Sequence, residues 1–133
     1  MLKTEQITTR TRFEVVDITQ AVRRCVREMG PKEGLCVVYV PHTTAGVTIN
    51  ENADPDVKHD LLEKLAAMVP KAEKYYRHDE GNSDSHVKTA LMGPSVTLII
   101  DEGKLVLGTW QGVYFCEFDG PRTRKFHVKV MPG

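Results

Sequence analysis

The sequence has no net charge, because 18 basic and 18 acidic side chains cancel over 133 residues. No global field therefore draws it to nucleic acid or to an anionic membrane surface, and any anion site must be local. It has no apolar signal core near its start and no run approaching the roughly 20 apolar residues that cross a bilayer. These features predict a cytoplasmic protein with neither a membrane nor a nucleic acid as partner. Cysteine is scarce: Cys25, Cys36 and Cys116 lie far apart in apolar stretches. They lack the paired spacing of a zinc knuckle or redox motif and read as reduced core thiols. No repeat, low-complexity stretch or interdomain linker is visible, although Lys71 to Arg77 is charged enough to form a mobile connection. The length predicts one domain, residues 1–133, with room for one sizeable core.

Periodicity supplies the elements. Alternating Thr, Ile, Phe and Val from Leu2 to Val16 predict two strands meeting around Thr9 to Thr11. Asp17 and Gln20 resemble a capping box, and Val22, Cys25, Val26 and Met29 recur at helical spacing until Gly30-Pro31. The polar face of that helix carries Arg23, Arg24 and Arg27. The apolar run Leu35 to Val40 and the alternating segment from Ala45 to Ile49 predict strands flanking a turn at His42. Asp54-Pro55 is a helix start, and Val57, Leu61, Leu65 and Met68 form an apolar stripe that Pro70 ends. Ser83 is expected to cap a third helix in which Val87, Ala90 and Leu91 face inward, closed by Gly93-Pro94. Val96 to Ile100, Leu105 to Trp110, Val113 to Phe118 and Lys125 to Val130 then read as an antiparallel meander. The fold class is α+β, with about three helices.

Candidate chemistry gathers at the element ends. His42 emerges where a buried strand stops, while His78 and His86 bracket the polar loop Asp79 to Ser85. Neutral imidazoles suit zinc or a similar cation and also serve as acid or base, so the three form a candidate metal set. Local capping or hydrogen bonding is the plain alternative, and the spacing of His78 and His86 is by itself a weak metal signature. His59 and His127 sit among charged neighbours and are expected to face water. Glu51, ahead of the Asp54-Pro55 helix start, is a candidate ligand or base, or a carboxylate that merely serves the helix dipole. Gly108-Thr109-Trp110-Gln111-Gly112 permits close backbone approach, with Trp110 as a wall against a ring and Gln111 as donor and acceptor; burial of Trp110 in the core is the commoner fate. Asp119-Gly120-Pro121-Arg122-Thr123-Arg124 presents two guanidinium groups for a phosphate, Arg122 the better placed and Arg124 open to being a solvated strand residue.

Four ordered motifs, Pro41 to Asn52, Glu80-Gly81-Asn82 with His86, Gly108 to Gln111 and Phe118 to Arg122, together resemble the YjbQ family, also called the secondary thiamine-phosphate synthase family. The resemblance runs over nearly the whole chain. It implies a compact α+β fold with a β-sandwich-like core of antiparallel sheets, a cytoplasmic protein and a homotrimer. It also implies a weak ability to join a hydroxymethylpyrimidine diphosphate to a thiazole phosphate with release of pyrophosphate. In that reading Arg122 holds phosphate with the helix N-terminus at Asn82 and Ser83, beside Asp119, while Trp110 and Gln111 meet a heteroaromatic ring. Glu51, His42 and His86 handle protons, and a divalent metal, zinc or magnesium, near His42, His78 and His86 neutralises the leaving group. Two other readings stand beside it: a metal-binding or ligand-binding trimer without turnover, and a metal-dependent hydrolase using zinc-bound water.

Overall fold

In the computed structural model, which describes residues 1–133, the chain runs β1 (Leu2–Thr8), β2 (Glu14–Asp17), α1 (Thr19–Met29), β3 (Gly34–Tyr39), β4 (Ala45–Glu51), α2 (Pro55–Met68), α3 (Ser83–Met92), β5 (Ser95–Asp101), β6 (Lys104–Leu105), β7 (Gln111–Glu117) and β8 (Thr123–Pro132). The strands form two antiparallel sheets, a larger one ordered β1-β8-β3-β5-β6 and a smaller one ordered β2-β7-β4. Because strand side chains alternate in direction, every second residue enters the core. Phe126, Val128 and Val130 of β8, Cys36 and Val38 of β3, and Leu98 and Ile100 of β5 do so from the larger sheet. They meet Val47, Val113 and Phe115 of the smaller sheet and Val22, Cys25 and Val26 of α1. Each such large apolar side chain stabilises the fold by about 1.5–3 kcal/mol on burial.

The reverse face of the smaller sheet carries a second cluster, Tyr114, Cys116 and Phe118, packed with Phe13, Leu65 of α2 and Met92 of α3. Gly46 lets β4 lie directly against the end of α3, since a Cβ there would stand 2.6 Å from the Gly93 carbonyl oxygen. Asp54 caps α2 by accepting from the Asp56 N–H, with Pro55 opening the helix as its sequence requires.

Several expectations are corrected. The predicted strand Leu105 to Trp110 pairs only at its start, because the chain must leave the larger sheet there to reach β7 in the smaller one. The meander is likewise broken: β7 belongs to the smaller sheet, and β8 returns between β1 and β3. Asp17 does not close a capping box with Gln20; its carboxylate accepts from the Thr19 N–H, and Ile18 occupies the N-cap position. Asn82, not Ser83, is the N-cap of α3, and its side chain makes no capping bond.

Helix α3 is turned over relative to its apolar pattern: Asp84, Ser85, Lys88 and Thr89 are buried, whereas Val87 and Ala90 are exposed and Leu91 is 60 % exposed. Asp84, Ser85 and Lys88 have partners beneath that face, and these outweigh the burial of Val87, Ala90 and Leu91, although the Thr89 hydroxyl is buried without one. Val113, Phe115 and Val128 are core residues with no exposure and offer no face for assembly. The uncovered apolar surface is instead the outer face of the larger sheet. There Leu35 pairs across strands with Ile99 and Met131, with Val106 beside Ile99.

Candidate functional site

The β7–β8 turn and the N-terminus of α3 are tied into one polar centre. The Asn82 amide donates to the Asp119 carboxylate at 2.8 Å, and Arg122 grips the same residue twice, through the side-chain and backbone oxygens, at 2.8 Å each. The buried Ser85 hydroxyl donates to the Phe118 carbonyl oxygen. Arg12, from the loop between β1 and β2, donates both guanidinium arms to Asp84 at 3.0 and 3.2 Å, and its Nε stands 3.8 Å from Asp119. Lys88 completes the group, its ammonium 2.9 Å from Asp84 and 3.9 Å from the centre of the Phe13 ring. Burial by itself pushes the Asp84 carboxyl up, but the bonds from Arg12 and Lys88 prevail and hold it below its ordinary value. Asp119 is likewise depressed, burial being outweighed by Asn82 and Arg122.

A second network anchors the turn from below. Arg124 reaches inward to Glu117 and to the Thr44 hydroxyl, 2.8 Å away, while Thr9 donates to Glu117 at 2.7 Å and the Asp119 N–H at 3.0 Å. Desolvation raises the Glu117 carboxyl, yet these donors together keep it ionised, below its ordinary range. Gly120 is required here, because a Cβ would collide with the Thr11 carbonyl oxygen. Asp119 and Arg122 are therefore fixed by a rigid base, and Arg122 keeps half its side-chain surface toward solvent.

The histidines divide. The His78 and His86 rings stand 5.3 Å apart between centroids and nearly perpendicular, and Glu80 lies 3.4 Å from His78 Nε2. Two imidazoles sharing a tetrahedral zinc ion would place their centroids about 5 Å apart, so this pair has the spacing for two ligands. His42 stands elsewhere, with Nε2 3.0 Å from the Lys125 N–H and 3.1 Å from its carbonyl oxygen. Burial, reinforced by Arg124, lowers its pKa and keeps it neutral at pH 7. No group of three or more His, Cys, Asp or Glu side chains in the chain is arranged to hold a metal ion. The expected three-histidine set is thus corrected, within one chain, to a pair and a separate ring whose Nε2 faces backbone.

Glu51, Trp110 and Gln111 lie at the far end of β4. Glu51 pairs with Gln111 across the smaller sheet, the Glu51 carbonyl accepts from Tyr114 OH at 2.9 Å, and Gln111 closes its own loop onto the Gly108 N–H at 2.8 Å. Trp110 is 61 % exposed rather than in the core. Since β4 opens at Ala45 opposite Glu117 and closes at Glu51 opposite Gln111, its six steps separate this end from the Glu117 end by about 20 Å.

Arg12, Asp84, Lys88 and Glu117 were not singled out, and Arg124, expected to meet a phosphate or to be a solvated strand residue, is instead buried against Glu117. Arg124 carried a readable signal, because it shares inward parity on β8 with Phe126, Val128 and Val130. Arg12 carried none, lying 72 residues from Asp84 in an unpatterned loop. The three cysteines are free and buried as expected, and burial pushes the thiols of Cys36 to about 11 and of Cys116 to about 12. No helix is long and apolar enough to cross a membrane.

Comparison with known proteins matches residues 3–133 to the family model described as UPF0047 protein YjbQ-like. The UPF0047 protein of Methanocaldococcus jannaschii is 54 % identical over 131 residues, covering 98 % of this chain and 94 % of that protein. YugU of Bacillus subtilis is 52 % identical, covering 98 % of this chain and 99 % of its own. A crystal structure of a YjbQ/UPF0047 protein from Clostridium acetobutylicum superposes with a TM-score of 0.95 at 52 % identity, over 97 % of this chain and 99 % of that one. A YbjQ-like protein from Sulfolobus solfataricus also reaches 0.95 at 31 % identity, over 100 % of this chain and 97 % of the other. Family model, sequence identity and fold agree over nearly the whole chain, which therefore belongs to the YjbQ/UPF0047 family.

Proposed function

We propose that this chain is a small enzyme of its family that condenses two phosphorylated heterocycles, in a site completed between copies of a homotrimer. The thiazole ring nitrogen attacks the pyrimidine methylene carbon, the carbon–nitrogen bond forms as the carbon–oxygen bond breaks, and pyrophosphate leaves with the electron pair. One copy supplies the phosphate end: Arg122, steadied by Asp119, with Asn82 and Ser83 at the start of α3, whose N-terminal dipole favours an anion. A neighbouring copy supplies the ring end, with Trp110 as a stacking wall, Gln111 as donor and acceptor, and Glu51 as the carboxylate that faces the positive charge gained by the thiazole nitrogen. His42 from a neighbouring copy would exchange protons near the leaving group. Of the two cations expected, zinc fits the imidazole pair of His78 and His86, which would hold it, and it would neutralise departing charge; magnesium, which takes oxygen ligands, does not fit them.

The observation that carries this reading is the separation of the two ends along β4, about 20 Å in a single chain, against the near contact that two reacting molecules require. The exposed indole of Trp110 and the uncovered outer sheet face favour a neighbour that closes the gap.

Subunit mixing tests it. Arg122→Ala and Glu51→Gln should each abolish thiamine phosphate formation, and trimers assembled from both variants should regain about a quarter of the wild-type rate by random pairing. Mixed assemblies that stay inactive would remove the shared site. Wild-type protein that makes no thiamine phosphate from the two substrates would remove the condensation itself.

A further inference from the structure

Away from the motif residues, a groove of about 350 Å³ runs between α1 and the β5–β6 hairpin. Its walls carry Arg23 and Arg27 on one side and Lys104 on the other, over a floor of Val26 and Leu105. It continues into a hollow of about 510 Å³ that adds Lys32 and Glu33. Four cations thus face two carboxylates, Glu33 and Glu102, an excess of two positive charges in a chain whose total is zero.

These cations are unspent. Arg12, Arg24, Arg122 and Arg124 are all paired with carboxylates, but Arg23, Arg27, Lys32 and Lys104 enter no ion pair. Arg23 and Arg27 stand one helical turn apart, about 6 Å, where like charges disfavour the helix slightly. Arg24, between them in sequence, turns away to Glu5 at 2.8 Å. The walls are also fixed: the Gly103 N–H at the hairpin tip donates to the Lys32 carbonyl oxygen at 2.9 Å, and the Gly133 N–H donates to Glu33 O at 3.1 Å. A groove held open in this way loses little freedom when it is filled.

We infer that this groove is a binding site for a small organic diphosphate, separate from the Arg122 centre. Guanidinium forks match phosphate oxygens in pairs, and two forks with a facing ammonium suit two linked phosphoryl groups better than one. The half-buried Leu105 side chain offers the organic portion an apolar contact. The side chains are exposed, so the affinity falls with added salt.

Inorganic pyrophosphate titrated into the assembled protein, followed by amide NMR shifts, decides the matter. Saturable shifts at Arg27, Gly103 and Leu105 are expected, and they should persist in the Arg122→Ala variant. Arg23→Gln with Arg27→Gln should weaken binding at these amides about tenfold or more, as loss of charge-assisted bonds does, with an unchanged thermal midpoint. Non-saturating shifts, equal affinity in the double variant, or loss of the signal on Arg122→Ala would each overturn the site.

Discussion

Glu117 and Arg124 show how much depends on single side chains in this molecule. Both are almost fully buried, and their ion pair joins the β7–β8 turn to Thr9 and Thr44. Replacing Arg124 with Met leaves a buried carboxylate without its counter-charge and should cost about 3–5 kcal/mol at pH 7, measured by urea unfolding. The sign of the pH dependence follows from the depressed Glu117 carboxyl. In the wild type its contribution is complete above the ordinary carboxylate value and disappears as the pH falls through the lower native one. In Arg124→Met, protonation of Glu117 relieves the damage, so the gap between the two proteins should narrow on acidification. A gap that is constant from pH 7 to pH 3 would mean that Arg124 acts by packing alone.

Among the elements, β4 and the end of α3 meet closely, at Gly46 and Gly93. Gly46→Ala should destabilise the fold by about 1–3 kcal/mol, since backbone on both sides must yield; an unchanged thermal midpoint would show that the contact is slack. The sequence made most elements legible because their burial alternates or recurs simply, as in β8, α1 and the capped start of α2. It misled at α3, where Val87 and Leu91 advertise a core face that the structure turns outward. Pattern records apolarity but not partnership, and the partners of Asp84 and Lys88 come from Arg12 and Phe13, far away in the chain. The same gap explains the site: Asp119 and Arg122 were readable as turn residues, whereas the place of Asn82 as the N-cap and the network beneath it depend on tertiary contacts that no local spacing encodes.

At the scale of the whole molecule, the larger sheet presents Leu35, Ile99, Val106 and Met131 to solvent on a face that no helix of this chain covers. Assembly of a homotrimer through that face predicts that Ile99→Lys yields a folded monomer by sedimentation, with the far-ultraviolet circular dichroism of the wild type. A trimer that persists in the variant would place the contact elsewhere. Both sheets close late in synthesis, since β7 joins β2 to β4 and β8 joins β1 to β3. β8, the last strand in the chain, pairs with β1 on one side and β3 on the other, and Leu2 finds its partner in Lys129. While the chain emerges from a ribosome, β1 and β3 must therefore wait with these pairing edges open until β8 appears. Such long-range closure is slow, and it leaves the nascent chain exposed to the wrong strand, so crowding among neighbouring nascent chains is the hazard this topology carries.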